Sequence, residues 1–266
     1  MSMRSGTEDA GFWRKQGRII HALIVRETYT RFGRDNIGFA WIVVEPALFC
    51  LGIIALWTAA VSKQNHVEIP IVAFLLTGYM PLLMYRHAVA RLLRCMQANA
   101  ELLYHRDVTV FAMYAARLTL EIVGAFAAFV LLTGFFYAWG LVAAPKAPSL
   151  MLAGFLVYAL FTVAVSVAVG ALSERSEAVD KFWQPISYVM IPLSGTFYML
   201  YWLPPQARDI LVWFPPVTGV EMIRSGYFGP SIPAYYEWPA AVATSATVLC
   251  LGLALLRGAR RHVEIG

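Results

Sequence analysis

The sequence predicts an all-α integral membrane protein. It should have six transmembrane helices, an N-terminal interfacial helix and two short re-entrant helices before the last span. Three observations carry that expectation. Of 266 residues, 59% are hydrophobic and only 14% charged, with a mean hydropathy of +0.62, whereas a soluble domain averages about 45–50% apolar and about 25% charged. Several apolar runs reach about 20 residues, the length that crosses a bilayer. Lys and Arg gather in alternate connections between those runs, the bias that orients membrane proteins.

The chain opens with charge. Residues 12–31, FWRKQGRIIHALIVRETYTR, are too polar to cross. Ile20, Leu23 and Ile24 share a face with Phe12 and Trp13, while Arg14, Lys15, Arg18 and Arg26 stay polar. That is the pattern of a helix lying in the interface plane; a cytoplasmic helix docked on protein is the alternative. No short apolar run ends in a small-residue cleavage site, so no cleavable signal peptide is expected. Gly33 and Gly38 then let the chain turn upward.

Six spans follow, at 39–61, 69–90, 108–140, 149–172, 183–203 and 236–257. Glu45 falls inside the first, about 9 Å deep at the helical rise. It precedes Pro46, which leaves a backbone carbonyl free one turn earlier. Glu45 can pair with a basic residue of a neighbouring helix, Arg117 for instance, or face water. The third span is too long for a straight crossing and begins in the cytoplasm. It carries Arg117 and Glu121 at a spacing that lets them pair with each other. Gly124 and Ala128 on the same span permit close helix contact. Charged groups at membrane depth point to function unless they are paired.

Two connections are unusual. Residues 91–107, RLLRCMQANAELLYHRD, read as a charged amphipathic helix between spans two and three, with Leu92, Leu93, Met96, Leu102 and Leu103 offering apolar contacts. A plain link needs fewer residues. Within 204–230, Pro204-Pro205 and Pro215-Pro216 each start a short helix, at 205–213 and 216–226, proline being suited to a first helical turn. Neither is long enough to span, so both read as re-entrant or interfacial. Eleven aromatic residues lie between Phe197 and Trp238; an ordinary interfacial belt would also use Trp and Tyr.

Counting Arg86 and Arg257 at the edges of their spans, sixteen Lys and Arg fall on one side and four on the other. The split puts both termini in the cytoplasm. The net charge of +5 and pI of about 9.2 arise from residues flanking apolar runs, which fits lipid and orientation rather than nucleic acid. Cys50 and Cys250 lie in apolar runs and Cys95 in a basic loop, without pairing or metal-ligand spacing; all three read as small buried residues.

No motif carries chemistry. There is no G-x-x-x-x-G-K-[ST], so the chain does not bind ATP through a P-loop, and no H-E-x-x-H, G-x-S-x-G or C-x-x-C occurs. His105-Arg106-Asp107 spells a kinase triplet, but position 112 is Ala where that motif needs Asn, so it is chance. No catalytic residue, metal site or cofactor is expected in this chain.

The stretch RETYTRFGRDNIGFAWIVVEPAL, the six spans, the connection after span two and the proline-broken aromatic segment together resemble a known family. The chain is similar to the membrane subunit of ABC exporters of bacterial capsular polysaccharide, within the polysaccharide and polyol phosphate export permeases. The resemblance implies a homodimer in the bacterial inner membrane moving a lipid-linked polysaccharide. It implies a separate ATPase subunit holding ATP and Mg, and periplasmic and outer-membrane export partners. Residues implied for the route are Trp41 and Glu45, then Tyr188, Phe197, Tyr198, Tyr201 and Trp202. The outer gate would use Trp213, Phe214, Tyr227 and Phe228. Coupling to the ATPase would use Arg91, Arg94, Glu101, Arg106 and Asp107. Arg26, Arg31 and Arg34 suit a lipid phosphate, Arg being apt for bidentate contact. The same machinery could carry O-antigen or teichoic acid. A secondary transporter would show internal repeats and midplane charged sites, and a membrane-embedded transferase a convergent acid–base or nucleophile set; neither is found.

Overall fold

The structure, a computed structural model, describes residues 4–32, 38–60, 70–103 and 108–263. Among these residues all regular structure is helical, with no strand. In chain order the helices are α1 (Arg4–Phe32), α2 (Gly38–Ala60), α3 (Ile71–Leu92), α4 (Ala100–Leu103), α5 (Val110–Ala138), α6 (Pro148–Ser173), α7 (Glu177–Leu193), α8 (Pro205–Leu211), α9 (Pro215–Phe228) and α10 (Trp238–Val263). Three described helices are long and apolar enough to cross a membrane: Val110–Ala138, Pro148–Ser173 and Trp238–Gly258.

Local chemistry explains most of the starts and stops. Thr109 caps α5, its hydroxyl accepting the Ala112 amide at 3.1 Å. Pro148, Pro205 and Pro215 each occupy the first helical turn, where a missing amide hydrogen costs nothing. Gly229, at φ 64, ends α9. α7 contains two prolines in its interior, Pro185 and Pro192.

α6 sits at the centre and packs most extensively on α9 and α10, with α3 against α6 and α5. The main core is built from Phe74, Leu76, Met80, Tyr85, Phe129, Phe155, Tyr158 and Ile223. Two glycines set the α6–α9 spacing. A Cβ on Gly154 would lie 2.6 Å from the Ile223 nitrogen, and one on Gly219 would lie 2.9 Å from the Tyr158 Cβ. Only bare backbone fits there, and α9 is buried along almost its whole length.

Hydrogen bonds gather at two opposite ends. At one, the Ala147 amide donates to the Gly226 carbonyl at 2.7 Å, Lys146 Nζ to Ser231 Oγ at 2.6 Å and the Tyr227 hydroxyl to the Ala143 carbonyl at 2.6 Å. At the other, Arg175 Nη2 donates to the Leu255 carbonyl at 2.7 Å. There α1 lies along α5. Leu23 is partly buried against the Met113 and Leu118 cluster, while Arg14, Lys15, Arg18 and Arg26 are exposed.

Several sequence-based expectations need correction. The helix expected over 183–203, α7, runs instead from Glu177 to Leu193. Gly195 takes a left-handed φ of 76, and the Ser194 hydroxyl turns back to the Ile191 carbonyl at 2.8 Å. The aromatic residues beyond therefore lie on a loop with one 3-10 turn, Leu200–Trp202. Residues 91–107 do not form one helix. α3 ends at Leu92, Arg94 adopts φ 50, and a 3-10 turn at Gln97–Asn99 leads into the four-residue α4. Tertiary partners outcompete helical ones there: the Arg94 amide donates to Ser173 Oγ at 3.0 Å and the Met96 amide to Glu174 Oε1 at 2.6 Å. The apolar contacts survive, with Leu92, Cys95 and Met96 buried. Cys50 and Cys95 are buried as expected, but Cys250 is exposed on α10. An apolar run in a membrane protein has a lipid-facing side, so hydrophobicity does not imply burial in protein.

Candidate functional site

α2, α3 and α5 frame a cavity of about 430 Å³. α2 contributes Trp41, Glu45 and Pro46; α3 contributes Met80, Met84, His87 and Arg91; α5 contributes Glu121, Gly124 and Ala128. The small side chains at 124 and 128 leave the space open on the α5 side. A second cavity of about 180 Å³ lies between α2, α3 and α7, lined by Tyr79, Arg86, Trp183 and Ser187, and it shares Glu45 and His87 with the first. Glu45 and His87 thus stand where the two cavities meet.

Each acid in this region has a basic neighbour. Glu45 Oε1 lies 3.5 Å from His87 Nε2, both side chains being partly open to solvent. Glu121, buried, lies 3.5 Å from Arg91 Nε. Arg117 turns away from the cavity. Its Nε lies 3.4 Å from Glu27 of α1, and its Nη1 donates to the Arg91 carbonyl at 2.7 Å. The pairings foreseen from sequence, Arg117 with Glu121 and Arg117 with Glu45, are therefore replaced. Helical spacing allowed the first, but α1 and the end of α3 offer Arg117 partners that sequence proximity could not reveal.

The aromatic residues foreseen for a route divide by position. Trp41 is 54% exposed at the cavity and Tyr188 54% exposed on α7; the Arg86 guanidinium stands 5.3 Å from the Tyr188 ring. Phe197 and Trp202 are exposed, and Tyr198 and Tyr201 half-buried, on the loop after α7. Trp202 stacks on Phe74 at 5.4 Å. Of the gate residues, Trp213 is exposed, Phe214 meets Phe161 edge-on at 6.1 Å, and Tyr227 and Phe228 are buried in the core.

At the opposite end, Arg26 and Glu101 are exposed. Arg91 faces Glu121, and Arg94 faces the start of α7, with Nη2 3.1 Å from Glu177 Oε1 and Nε 3.4 Å from Asp180 Oδ2. The side chain of Arg31, and residues Arg34, Arg106 and Asp107, lie outside the described part. Glu174, buried beside this turn, has its carboxyl pushed above the ordinary value by burial, against the pull of the Met96 and Gln97 amides. Burial also pushes the Cys95 thiol up to about 12, so it stays protonated. Among the described residues no three His, Cys, Asp or Glu side chains are grouped to hold a metal ion.

Sequence reasoning missed one cluster. Glu221 and Arg224, on α9, are almost completely buried. Arg224 donates to the carbonyls of Gly195, Thr196 and Tyr198 and lies 4.2 Å from the Phe74 ring centroid. Glu221 accepts the Leu200 amide at 3.0 Å. Counted by position alone, Arg224 is a loop charge; in the structure it is a buried one. The available signal was two charges one turn apart on a short, otherwise apolar helix.

The sequence profile of the ABC-2 type transporter family matches residues 19–228. The chain is 35% identical to the capsule polysaccharide export inner-membrane protein BexB of Haemophilus influenzae over 94% of either chain. It is 36% identical to CtrC of Neisseria meningitidis serogroup B, of the same description, over 95% of this chain and 96% of that one. With the polysialic acid transport protein KpsM of Escherichia coli it shares 27% identity over 90% and 92%. A helical membrane architecture, a match across most of the chain and near-full-length relatives together place this protein in the ABC-2 type transporter family.

Proposed function

We propose that this chain is the membrane-spanning permease subunit of an ATP-driven exporter that moves lipid-linked capsular polysaccharide across the bacterial inner membrane. The observation that carries the reading is identity of 35% and more with capsule export inner-membrane proteins over nearly the full length. ATP hydrolysis belongs to a separate subunit, because this chain has no phosphate-binding loop.

In this reading α2, α3, α5, α6, α7 and α10 are the six spans. α8 and α9 form a re-entrant pair on the periplasmic side, and both termini are cytoplasmic. Two copies assemble, with the polymer passing between them. The connection from Arg91 to Asp107 meets the ATPase, while the end carrying Tyr227 and Lys146 faces periplasmic and outer-membrane partners. The exposed aromatic residues Trp41, Tyr188, Phe197 and Trp202 supply flat apolar faces with polar tips. Such surfaces bind the C–H faces of sugars weakly and in succession, which suits sliding. Arg26, Arg31 and Arg34 attract the lipid phosphate at the entrance. O-antigen or teichoic acid is the alternative cargo.

The test is transport in inverted membrane vesicles. Vesicles containing this chain and its ATPase should take up lipid-linked capsular polysaccharide when ATP is added, and vesicles lacking either subunit should not. Uptake without the ATPase subunit, or ATP hydrolysis by this chain alone, overturns the reading.

A further inference from the structure

We infer that Arg94, through its ion pairs with Glu177 and Asp180, is the positioning residue by which the α3–α5 connection moves α7. The inference rests on the proposed export function and adds to it the path of force.

Four observations lead there. The connection is fastened to the end of α6, the Arg94 amide to Ser173 and the Met96 amide to Glu174. Arg94 itself holds φ 50, the only positive φ of a non-glycine residue among those described. A residue with a Cβ adopts that conformation at a cost, and such residues gather where geometry matters. Its side chain faces two carboxylates in the first turn of α7 at 3.1 and 3.4 Å. α7 is held along one face only: Val179, Trp183, Met190 and Ile191 pack on the main core, whereas Phe182, Ile186, Val189 and Leu193 stand exposed.

α7 is therefore gripped near its two ends. Arg94 holds its first turn, and the buried Arg224 of α9 holds the carbonyls just beyond its last. Between these grips its exposed face has room to shift. A displacement of the 94–96 turn pulls the first turn of α7, and the helix transmits it to α9. The Glu177 pair, open to solvent, contributes little to folding, so its value here lies in position. Carboxylates at the start of α7 also suit the positive end of its dipole, which explains their presence but not the arginine turned toward them.

The experiment uses the full chain with its ATPase in inverted vesicles, measuring ATP hydrolysis and polysaccharide uptake in the same preparation. The double variant Glu177→Gln with Asp180→Asn should hydrolyse ATP at near the wild-type rate and lose at least about fivefold in uptake, the lower end of ordinary coupling effects. Arg94→Asp should lose uptake likewise, and the exchange Arg94→Asp with Asp180→Arg should recover it. Wild-type uptake by the double variant overturns the inference. If the double variant does not assemble, the exchange decides: recovery upholds the link, and an exchange no better than Arg94→Asp overturns it. Absence of uptake by the wild-type complex would instead refute the export function itself.

Discussion

Arg224 of α9 donates to the carbonyl oxygen of Gly195 across 2.7 Å, from a side chain only 2% exposed. A second nitrogen reaches the Thr196 carbonyl at 2.6 Å. One planar group thus satisfies carbonyls that Gly195, by leaving the helix, sets free. Lysine is a point charge and cannot reproduce that fork. Arg224→Ala should destabilise the protein by about 3–5 kcal/mol, as expected when one partner of a buried charged cluster is removed, and Arg224→Lys should restore little of the loss. Thermal unfolding of the purified protein in detergent reads both; an alanine variant as stable as wild type would disprove the clamp.

The α6–α9 crossing offers a paired test. Gly154 faces Ile223 and Met222 at distances that admit no Cβ, whereas Gly134 of α5 has nothing within 4 Å. Gly154→Ala should cost about 1–3 kcal/mol through overpacking. Gly134→Ala should be neutral or stabilise by about 0.5–1 kcal/mol, because alanine is the better helix former. Equal unfolding temperatures for the two variants would contradict the close packing.

Glu174 predicts a pH dependence with a definite sign. Burial raises its carboxyl above the ordinary value of 4.5, so the folded protein holds that proton more tightly than the unfolded chain. Its contribution to stability is complete below 4.5 and lost as pH rises through the raised value. Glu174→Gln keeps an acceptor for the Met96 amide and cannot ionise. Its unfolding temperature should fall less than wild type between about pH 4 and pH 8; parallel curves would refute the assignment.

Trp213 and Tyr227, both foreseen as gate residues, should behave differently. Trp213 is 59% exposed, so Trp213→Ala should leave the unfolding temperature unchanged while altering polysaccharide uptake. Tyr227 is buried and bonds to Ala143; Tyr227→Phe should cost about 0.5–1.5 kcal/mol. Unaltered uptake by Trp213→Ala would leave that ring an interfacial anchor.

What could be read from the sequence was local. Pro215-Pro216 announced the start of α9, and apolar length announced α5, α6 and α10. The end of α7 was hidden because Gly195 sits inside a run of apolar and aromatic residues, across which hydropathy stays high. Residues 91–103 kept their amphipathic pattern yet did not form one helix, since Ser173 and Glu174, some eighty positions away, take the amides. Glu27 found Arg117 for the same reason: ion pairing between helices depends on which helices are neighbours, and spacing along one helix does not disclose that. In the candidate cavity, Trp41 and Glu45 were anticipated, whereas His87 was not.

Pro185 and Pro192 have no amide hydrogen, so the carbonyls of Lys181 and Tyr188, one turn earlier in α7, lose their helical donors. Both of those residues are exposed. A helix that lacks two of its backbone bonds bends more readily at those two points than anywhere else along its length.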